Sequence, residues 1–297
     1  MYAVIIVGGG PAGVSAALVL GRCRRKVLVC DAGHPRNAAS HALHGYLSRD
    51  GLPPAELLRI GRAELTQYGV ECRDTVVESA CREGDGFAVT LADGTRLASK
   101  MLLVATGVCD RIPPIDGIAE LYGRSVFHCP YCDAWEVREQ PLAAYGRGRQ
   151  GAGLALSLKT WSDDVVLCTD GPPRLSATDA AALERNAIPL RAARIARLEG
   201  SDGILERIVF TKGDPLPRRA LFFSTGQVQH SEIPMQLGCV FNRKGTVQTN
   251  FAEGTHIPGL YVAGDASRDM QFVIVAAAEG ASAAVAMNKK LQEKERR

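Results

Sequence analysis

The sequence predicts an α/β protein of two domains, with the smaller inserted into the larger. Three observations predict it. A strand, a G-x-G-x-x-G loop and a helix follow one another near the N-terminus and again in the middle of the chain. Each copy leads to a second apolar strand that ends near an aspartate, at Asp31 and at Asp170. Two further apolar runs, residues 101–107 and 221–226, both close on Thr-Gly.

Residues 2–7 form a short, β-rich apolar run that feeds Gly8-Gly9-Gly10-Pro11-Ala12-Gly13, and residues 14–20 continue as an Ala/Leu helix. In such a loop Gly8 lets the chain turn sharply, Gly10 lets a pyrophosphate approach the backbone, and Gly13 lets helix and strand pack closely. The helix N-terminus offers its N–H groups to the phosphates. The next strand, residues 26–30, ends in Asp31, where a carboxylate would accept bonds from a ribose hydroxyl. Residues 87–91 and 96–97 around Asp93-Gly94 read as a small hairpin. Met101 to Val104 then close on Ala105, Thr106 and Gly107. Pro113-Pro114 marks an extended crossing into the second domain.

There, residues 140–145 lead into Gly146-Arg147-Gly148-Arg149-Gln150-Gly151, a helix over residues 152–159, and a strand over residues 164–168 ending near Asp170. The return crossing falls near residues 226–234. The division is therefore residues 1–113 with 227–297 for the outer domain and 114–226 for the inserted one.

The length, 297 residues, suits about two domains. A composition of 46% hydrophobic and 23% charged residues argues against disorder. The net charge of +3 excludes a chain built mainly to bind nucleic acid or an anionic membrane. No stretch reaches the roughly 18 apolar residues a membrane span needs, and the best run, residues 272–287, is broken by Glu279. The N-terminus reads as a strand and turn rather than a signal peptide. Nine cysteines, seven of them scattered singly, suit a reducing cytoplasm better than a disulfide framework.

Cys129 and Cys132 make the chain's one C-x-x-C. Two intervening residues at a helix start bring two sulfurs within bonding reach, and the helix dipole favours a thiolate. Structural zinc needs four ligands, usually from a second pair, and the chain has no second pair, so the reading is redox with no metal. Asp133 could protonate a leaving thiolate or accept its proton. The alternative is an acid that merely suits the first helical turn. For His128 the choice is between a second proton carrier and an ordinary surface or core histidine.

Together these motifs carry a resemblance. Gly8–Gly13, Ala105-Thr106-Gly107, Cys129-Pro130-Tyr131-Cys132-Asp133 and Gly259-Leu260-Tyr261-Val262-Ala263-Gly264-Asp265 stand in the order and approximate spacing of the low-molecular-weight thioredoxin reductases. These belong to the FAD-dependent pyridine nucleotide-disulfide oxidoreductases. The resemblance implies two Rossmann-like three-layer ββα domains, the smaller inserted into an FAD domain built from both chain ends. Within the FAD domain it implies flavin binding through Gly8, Gly10, Pro11, Ala12, Gly13, Asp31, Thr106, Gly107, Gly264 and Asp265, with Asp265 on the ribityl chain. Gln271 and Phe272 would open a helix beside the flavin pyrimidine, where a positive helix end stabilises a reduced ring. It further implies that Cys132 is the sulfur nearer the ring, that Cys129 exchanges with an external disulfide, that the partner is thioredoxin-like and that the protein is a homodimer.

The chain also departs from that pattern. Members that use NADPH carry a basic cluster after the second strand of the inserted domain, whereas this chain reads Cys168-Thr169-Asp170-Gly171-Pro172-Pro173-Arg174. A carboxylate about 4 Å from a phosphate charge costs roughly 1–4 kcal/mol. NADPH is therefore disfavoured, NADH stays open through Asp170, and ferredoxin is the donor in some family members. Arg147 and Arg149 could clamp a pyrophosphate or fill its space. Cys-Pro-Tyr-Cys followed by Trp135 and Glu136 also resembles microbial dithiol oxidases, although those usually carry His where this chain has Asp133. The leading expectation is flavin-dependent electron transfer to a thioredoxin-like protein. The rivals are an oxygen-using oxidase of a small dithiol and a non-catalytic flavin-binding redox sensor.

Overall fold

The computed structural model describes residues 1–296, which divide into two compact units. The first comprises Met1–Ala38, Gly45–Cys109 and the chain from Gln227 onward; the second comprises Asp110–Gly226 with Ala39–His44.

The first part of unit one runs through Tyr2–Val7 (β1), Pro11–Arg22 (α1), Val27–Asp31 (β2), Pro54–Thr66 (α2), Glu71–Asp74 (β3), Val77–Glu83 (β4), Gly86–Leu91 (β5) and Arg96–Val104 (β6) to Val108–Asp110 (β7), whose last residue, Asp110, belongs to unit two. Unit two contributes Ile118–Leu121 (α3), Val126–Phe127 (β8), Pro130–Asp133 (α4), Leu142–Tyr145 (β9), Gly148–Leu158 (α5), Val165–Cys168 (β10) and Ala177–Arg185 (α6). It continues with Leu190–Arg191 (β11), Ile195–Ser201 (β12), Ile204–Phe210 (β13), Leu216–Pro217 (β14) and Ala220–Phe223 (β15). Back in unit one come Gln227–Gln229 (β16), Ile233–Gln236 (α7), Leu260–Val262 (β17), a single turn Gly264–Ala266, and Val273–Glu295 (α8).

Unit one is built on a seven-stranded sheet in the order β3-β2-β1-β6-β5-β4, with β17 also pairing β6. The β1 side chains are buried almost throughout because the strand lies mid-sheet between parallel neighbours. The 87–97 hairpin and the 101–104 strand, separate in the sequence reading, join through one continuous strand. The first half of β6 pairs antiparallel with β5, and its second half pairs parallel with β17. Polar Ser99 and Lys100 interrupt the apolar run without interrupting the ladder, and Ser99 is itself buried. One face of the sheet packs on α1 and α8 through Val4, Ile6, Leu20, Ala283, Ala284 and Met287.

Unit two has a five-stranded parallel sheet, β11-β10-β9-β15-β8. On one face lie α5 and α6 around Leu154, Leu158, Leu183 and Phe222. The antiparallel β12-β13-β14 meander covers the other through Leu198, Leu205, Ile208 and Phe210. This is the three-layer ββα arrangement expected for the inserted domain. Among the described residues, no helix is long and apolar enough to cross a membrane.

The crossing of α1 and α8 depends on a missing side chain. A β-carbon at Gly280 would lie 2.0 Å from the Ala12 carbonyl oxygen. Gly280→Ala should therefore destabilise unit one by about 1–3 kcal/mol. Gly153→Ala, on an exposed turn of α5 with nothing within 4 Å, should leave stability unchanged or raise it by up to about 1 kcal/mol. Urea melts of the two variants check both; equal losses would contradict the close crossing.

Candidate functional site

The first glycine loop is a tight strand–turn–helix. Gly8 adopts φ +106°, and a β-carbon there would meet the Ala105 oxygen at 2.3 Å. One at Gly13 would meet the Gly8 oxygen at 1.9 Å. A β-carbon at Gly10, by contrast, would meet nothing within 4 Å. Gly10 caps α1 without any side-chain bond, Pro11 opens the helix, and Ala12 is buried. The first-turn N–H groups therefore border open space, as an anion site requires. Gly9 leaves room for Asp31, whose carboxylate oxygen lies 2.6 Å from where its β-carbon would be. Asp31 ends β2, stays 17% exposed and pairs with Arg62, which also reaches Asp74 at 3.0 Å. Thr106 follows β6 with its hydroxyl buried and without a hydrogen-bond partner among the described residues, and Gly107 turns the chain at φ +67°. An open anion cradle, a strand-end carboxylate and an unbonded hydroxyl fit a dinucleotide such as FAD.

Asp265 and Gln271 are joined by a residue that sequence reasoning missed. Arg36 Nη1 donates to Asp265 Oδ2 at 3.0 Å and to Gln271 Oε1 at 2.6 Å. Gln271 Nε2 in turn donates to the Arg268 carbonyl at 3.2 Å. The Arg268 side chain bonds both Glu253 oxygens, at 2.7 and 2.8 Å, and Glu279 Oε1 at 2.9 Å. Glu279 closes the network by accepting the Gly264 N–H at 2.8 Å. Burial pushes the Glu279 carboxyl up to about 7, a rise reinforced by Glu253 and opposed by the Gly264 N–H and Arg268. The Gly264-Asp265 turn is thus clamped to α8, which Phe272 caps. In sequence Glu279 reads only as a charge interrupting an apolar run, a signal that a buried carboxylate needs a partner.

In unit two, Cys129 and Cys132 are joined as a disulfide with a Cα–Cα distance of 5.3 Å. Cys129 is the N-cap of α4, and Pro130 is its first residue. Tyr131 and Trp135 are largely exposed beside the pair, Tyr131 edge-on to Trp161 and Trp135 under the Arg138 guanidinium. Burial pushes the Asp133 carboxyl up to about 7; the charge of Glu136 adds to the rise and His44 opposes it. His44 Nε2 lies 3.4 Å from Glu136 Oε1. Asp133 can therefore hold a proton near neutral pH beside Cys132, as an acid for a thiolate must. The buried thiols of Cys30, Cys168 and Cys239 are pushed up to about 11, 12 and 11 by burial, which keeps them unreactive.

The second glycine loop repeats the turn but not the open space. A β-carbon at Gly151 would lie 2.5 Å from the Gly146 oxygen. The middle glycine, Gly148, is left-handed at φ +57°, 3.3 Å from the Arg174 oxygen on the same measure. Arg147 folds over the end of β10, donating to the Thr169 carbonyl at 2.7 Å and to the Asp170 carbonyl. Asp170 accepts the Ile195 N–H at 2.8 Å and lies 3.6 Å from Arg147. Its carboxylate is thus engaged within the fold rather than held for a ribose alone.

One unit thus carries an open glycine turn at a helix start, and the other a disulfide at a helix start. Residues 2–280 match the pyridine nucleotide-disulphide oxidoreductase family, and the chain belongs to it. It is a thioredoxin reductase-like enzyme of a family that uses FAD with NAD(P)H. The solved structure of HlmI is 36% identical, with a TM-score of 0.95 over 99% of this chain and 93% of that one. TrxB of Bacillus anthracis is 31% identical, with a TM-score of 0.94 over 99% and 100% of the respective chains. The thioredoxin reductase of Aquifex aeolicus is 28% identical over 100% of this chain and 95% of its own length.

The raised Asp133 carboxyl has a signed consequence for stability. The folded group keeps its proton to about pH 7, while the unfolded one loses it near about 3.9. Stability from this group is full below the lower value and is lost as pH rises through the upper one. Asp133→Asn should remove that loss, so its stability relative to the native chain should rise from pH 4 to pH 8. Urea melts across that range check it; a constant difference between the two proteins would contradict the raised value.

Proposed function

We propose that the chain passes two electrons between FAD and the Cys129–Cys132 disulfide, and between that pair and a thioredoxin-like partner. The observation that carries this reading is the chain's single C-x-x-C, paired at a helix start and followed by an acid that holds its proton near neutral pH. FAD, when bound, supplies the two-electron redox chemistry. Gly8, Gly10, Pro11, Ala12 and Gly13 cradle its pyrophosphate, and Asp31 accepts from its ribose. Thr106 and Gly107 border it at the end of β6. Gly264 and Asp265 hold the ribityl chain, while Gln271 and Phe272 set the N-terminus of α8 at the flavin pyrimidine. Arg36 keeps Asp265 and Gln271 in a fixed relation, through the two bonds that it donates. Asp133 moves the proton that Cys132 gains or loses.

NADPH is disfavoured as donor. The segment Thr169–Arg174 lacks a basic cluster, and Arg147, the nearest cation in the glycine loop, is spent on two backbone carbonyls. The same crowding favours a second reading, an oxygen-using oxidase that closes a disulfide in a small dithiol, because such an enzyme needs no nicotinamide. The scattered free cysteines suit a reducing cytoplasm, and homodimerisation follows from the resemblance.

Anaerobic bleaching of the flavin band separates these readings. Reduced thioredoxin or a small dithiol should bleach it, and Cys132→Ser should abolish that bleaching. NADPH at low micromolar concentration should leave the band unchanged, with NADH and reduced ferredoxin tested beside it. Bleaching by NADPH would overturn the donor assignment, and dithiol turnover that survives Cys132→Ser would overturn the route through the pair. Rapid reoxidation by air with peroxide formation would select the oxidase.

A further inference from the structure

We propose that His128 is the acid–base residue for exchange at Cys129, held in place by Asp110 and Tyr122. The inference rests on the redox reading of Cys129 and Cys132 given above and assigns the external half of that exchange.

His128 immediately precedes Cys129, on the connection from β8 to α4. Its Nδ1 lies 3.5 Å from Asp110 Oδ2 and 3.4 Å from the Tyr122 hydroxyl. The same hydroxyl donates to Asp110 Oδ2 at 2.9 Å. The Asp110 side chain is 6% exposed, whereas that of His128 is 29% exposed. The rings of Tyr122 and Phe223 stand 6.3 and 6.5 Å from the imidazole and limit its rotation. On its open side, His128 lines a cleft of about 490 Å³ with Pro130, Tyr131, Arg149 and Ser224. The imidazole therefore lies between a buried carboxylate and a cleft that is also lined by Pro130 and Tyr131, the two residues between the cysteines. A carboxylate at Nδ1 fixes the tautomer and leaves Nε2 to exchange protons. Asp133 sits after Cys132, at the other end of the turn, so each sulfur has a proton carrier beside it in sequence.

The exchange balances with two protons, one carried by His128 and one by Asp133. In the direction that reduces a substrate disulfide, His128 takes the proton from the Cys129 thiol. The Cys129 thiolate attacks one substrate sulfur, forming a mixed disulfide and breaking the substrate S–S bond. The first leaving thiolate takes the proton back from His128. Cys132, as thiolate after Asp133 takes its proton, then attacks Cys129 and closes the internal disulfide. The second leaving thiolate takes that proton, so the substrate gains two electrons and two protons and the dithiol loses them. The reverse direction runs the same transfers backwards. Titratable and charged groups facing the imidazole include Asp110 from β7, Tyr122 after α3 and, across the cleft, Arg149 from α5.

The test uses the full-length holoprotein, reduced with dithiothreitol and desalted under argon, in single turnovers that need no electron donor. Two probes differ in their leaving group. Bis(hydroxyethyl) disulfide releases an aliphatic thiolate that needs a proton, and an aromatic nitrobenzoate disulfide releases a stabilised thiolate that does not. His128→Gln should slow the aliphatic probe about a hundredfold and remove the inflection in its pH–rate profile, while slowing the aromatic probe far less. Asp110→Asn should shift that inflection and slow the aliphatic probe less than His128→Gln does. Equal slowing of both probes, or an unchanged profile, would overturn the proposal. Should His128→Gln fail to fold, Asp110→Asn carries the same comparison, and equal effects on both probes would again overturn it. Exchange that persists in Cys129→Ser would instead overturn the underlying redox reading.

Discussion

Two carbonyl oxygens stand where side chains would otherwise be. The Gly8 oxygen lies 1.9 Å from the β-carbon position of Gly13, and the Gly146 oxygen lies 2.5 Å from that of Gly151. Each contact lets a central parallel strand turn directly into a helix packed on the same sheet. With a larger residue at either last glycine, helix and strand would separate, and the strand end would no longer face the helix N-terminus. The duplicated architecture follows from this one steric constraint used twice. In both units, the strand ends and helix starts converge because the turn cannot be any wider.

What the two turns can hold is decided by the middle glycine. Gly10 is in an ordinary backbone conformation with empty space around it, so an anion can approach the first turn of α1. Gly148 is left-handed and crowded by the Arg174 backbone, while Arg147 is tied to the end of β10. The first turn is therefore open to an anion, whereas the second is crowded by backbone and by Arg147. In the inserted unit, α4 supplies a helix start for Cys129, a part-buried setting for Asp133 and, just before it, a histidine backed by a carboxylate.

Much of this was legible in the sequence because it is local. The run into Gly8, the spacing to Asp31 and the pair at Cys129 and Cys132 each lie within a short window, and their geometry follows from backbone rules. The continuity of β6 was not legible, because Ser99 and Lys100 break the apolar pattern that marks a strand, while its hydrogen bonds come from β1, β5 and β17. Arg36 was missed for a different reason. Its partners Asp265 and Gln271 lie 229 and 235 residues away, and no periodicity links them. The Glu253–Arg268–Glu279 group is similarly tertiary, an ion network that stands out only once its carboxylates are seen to be buried. Nothing local in the sequence marks Asp110, which only folding sets beside His128.

On the proposed function, one chain holds two separate two-electron centres, a flavin and the Cys129–Cys132 pair. Anaerobic reductive titration of the purified holoprotein with dithionite tests it most directly. The native protein should be yellow and take up four electrons per chain, and a Cys129→Ser, Cys132→Ser double variant, equally yellow, should take up two. A colourless protein that refuses added FAD, or a native chain that saturates at two electrons, would contradict it.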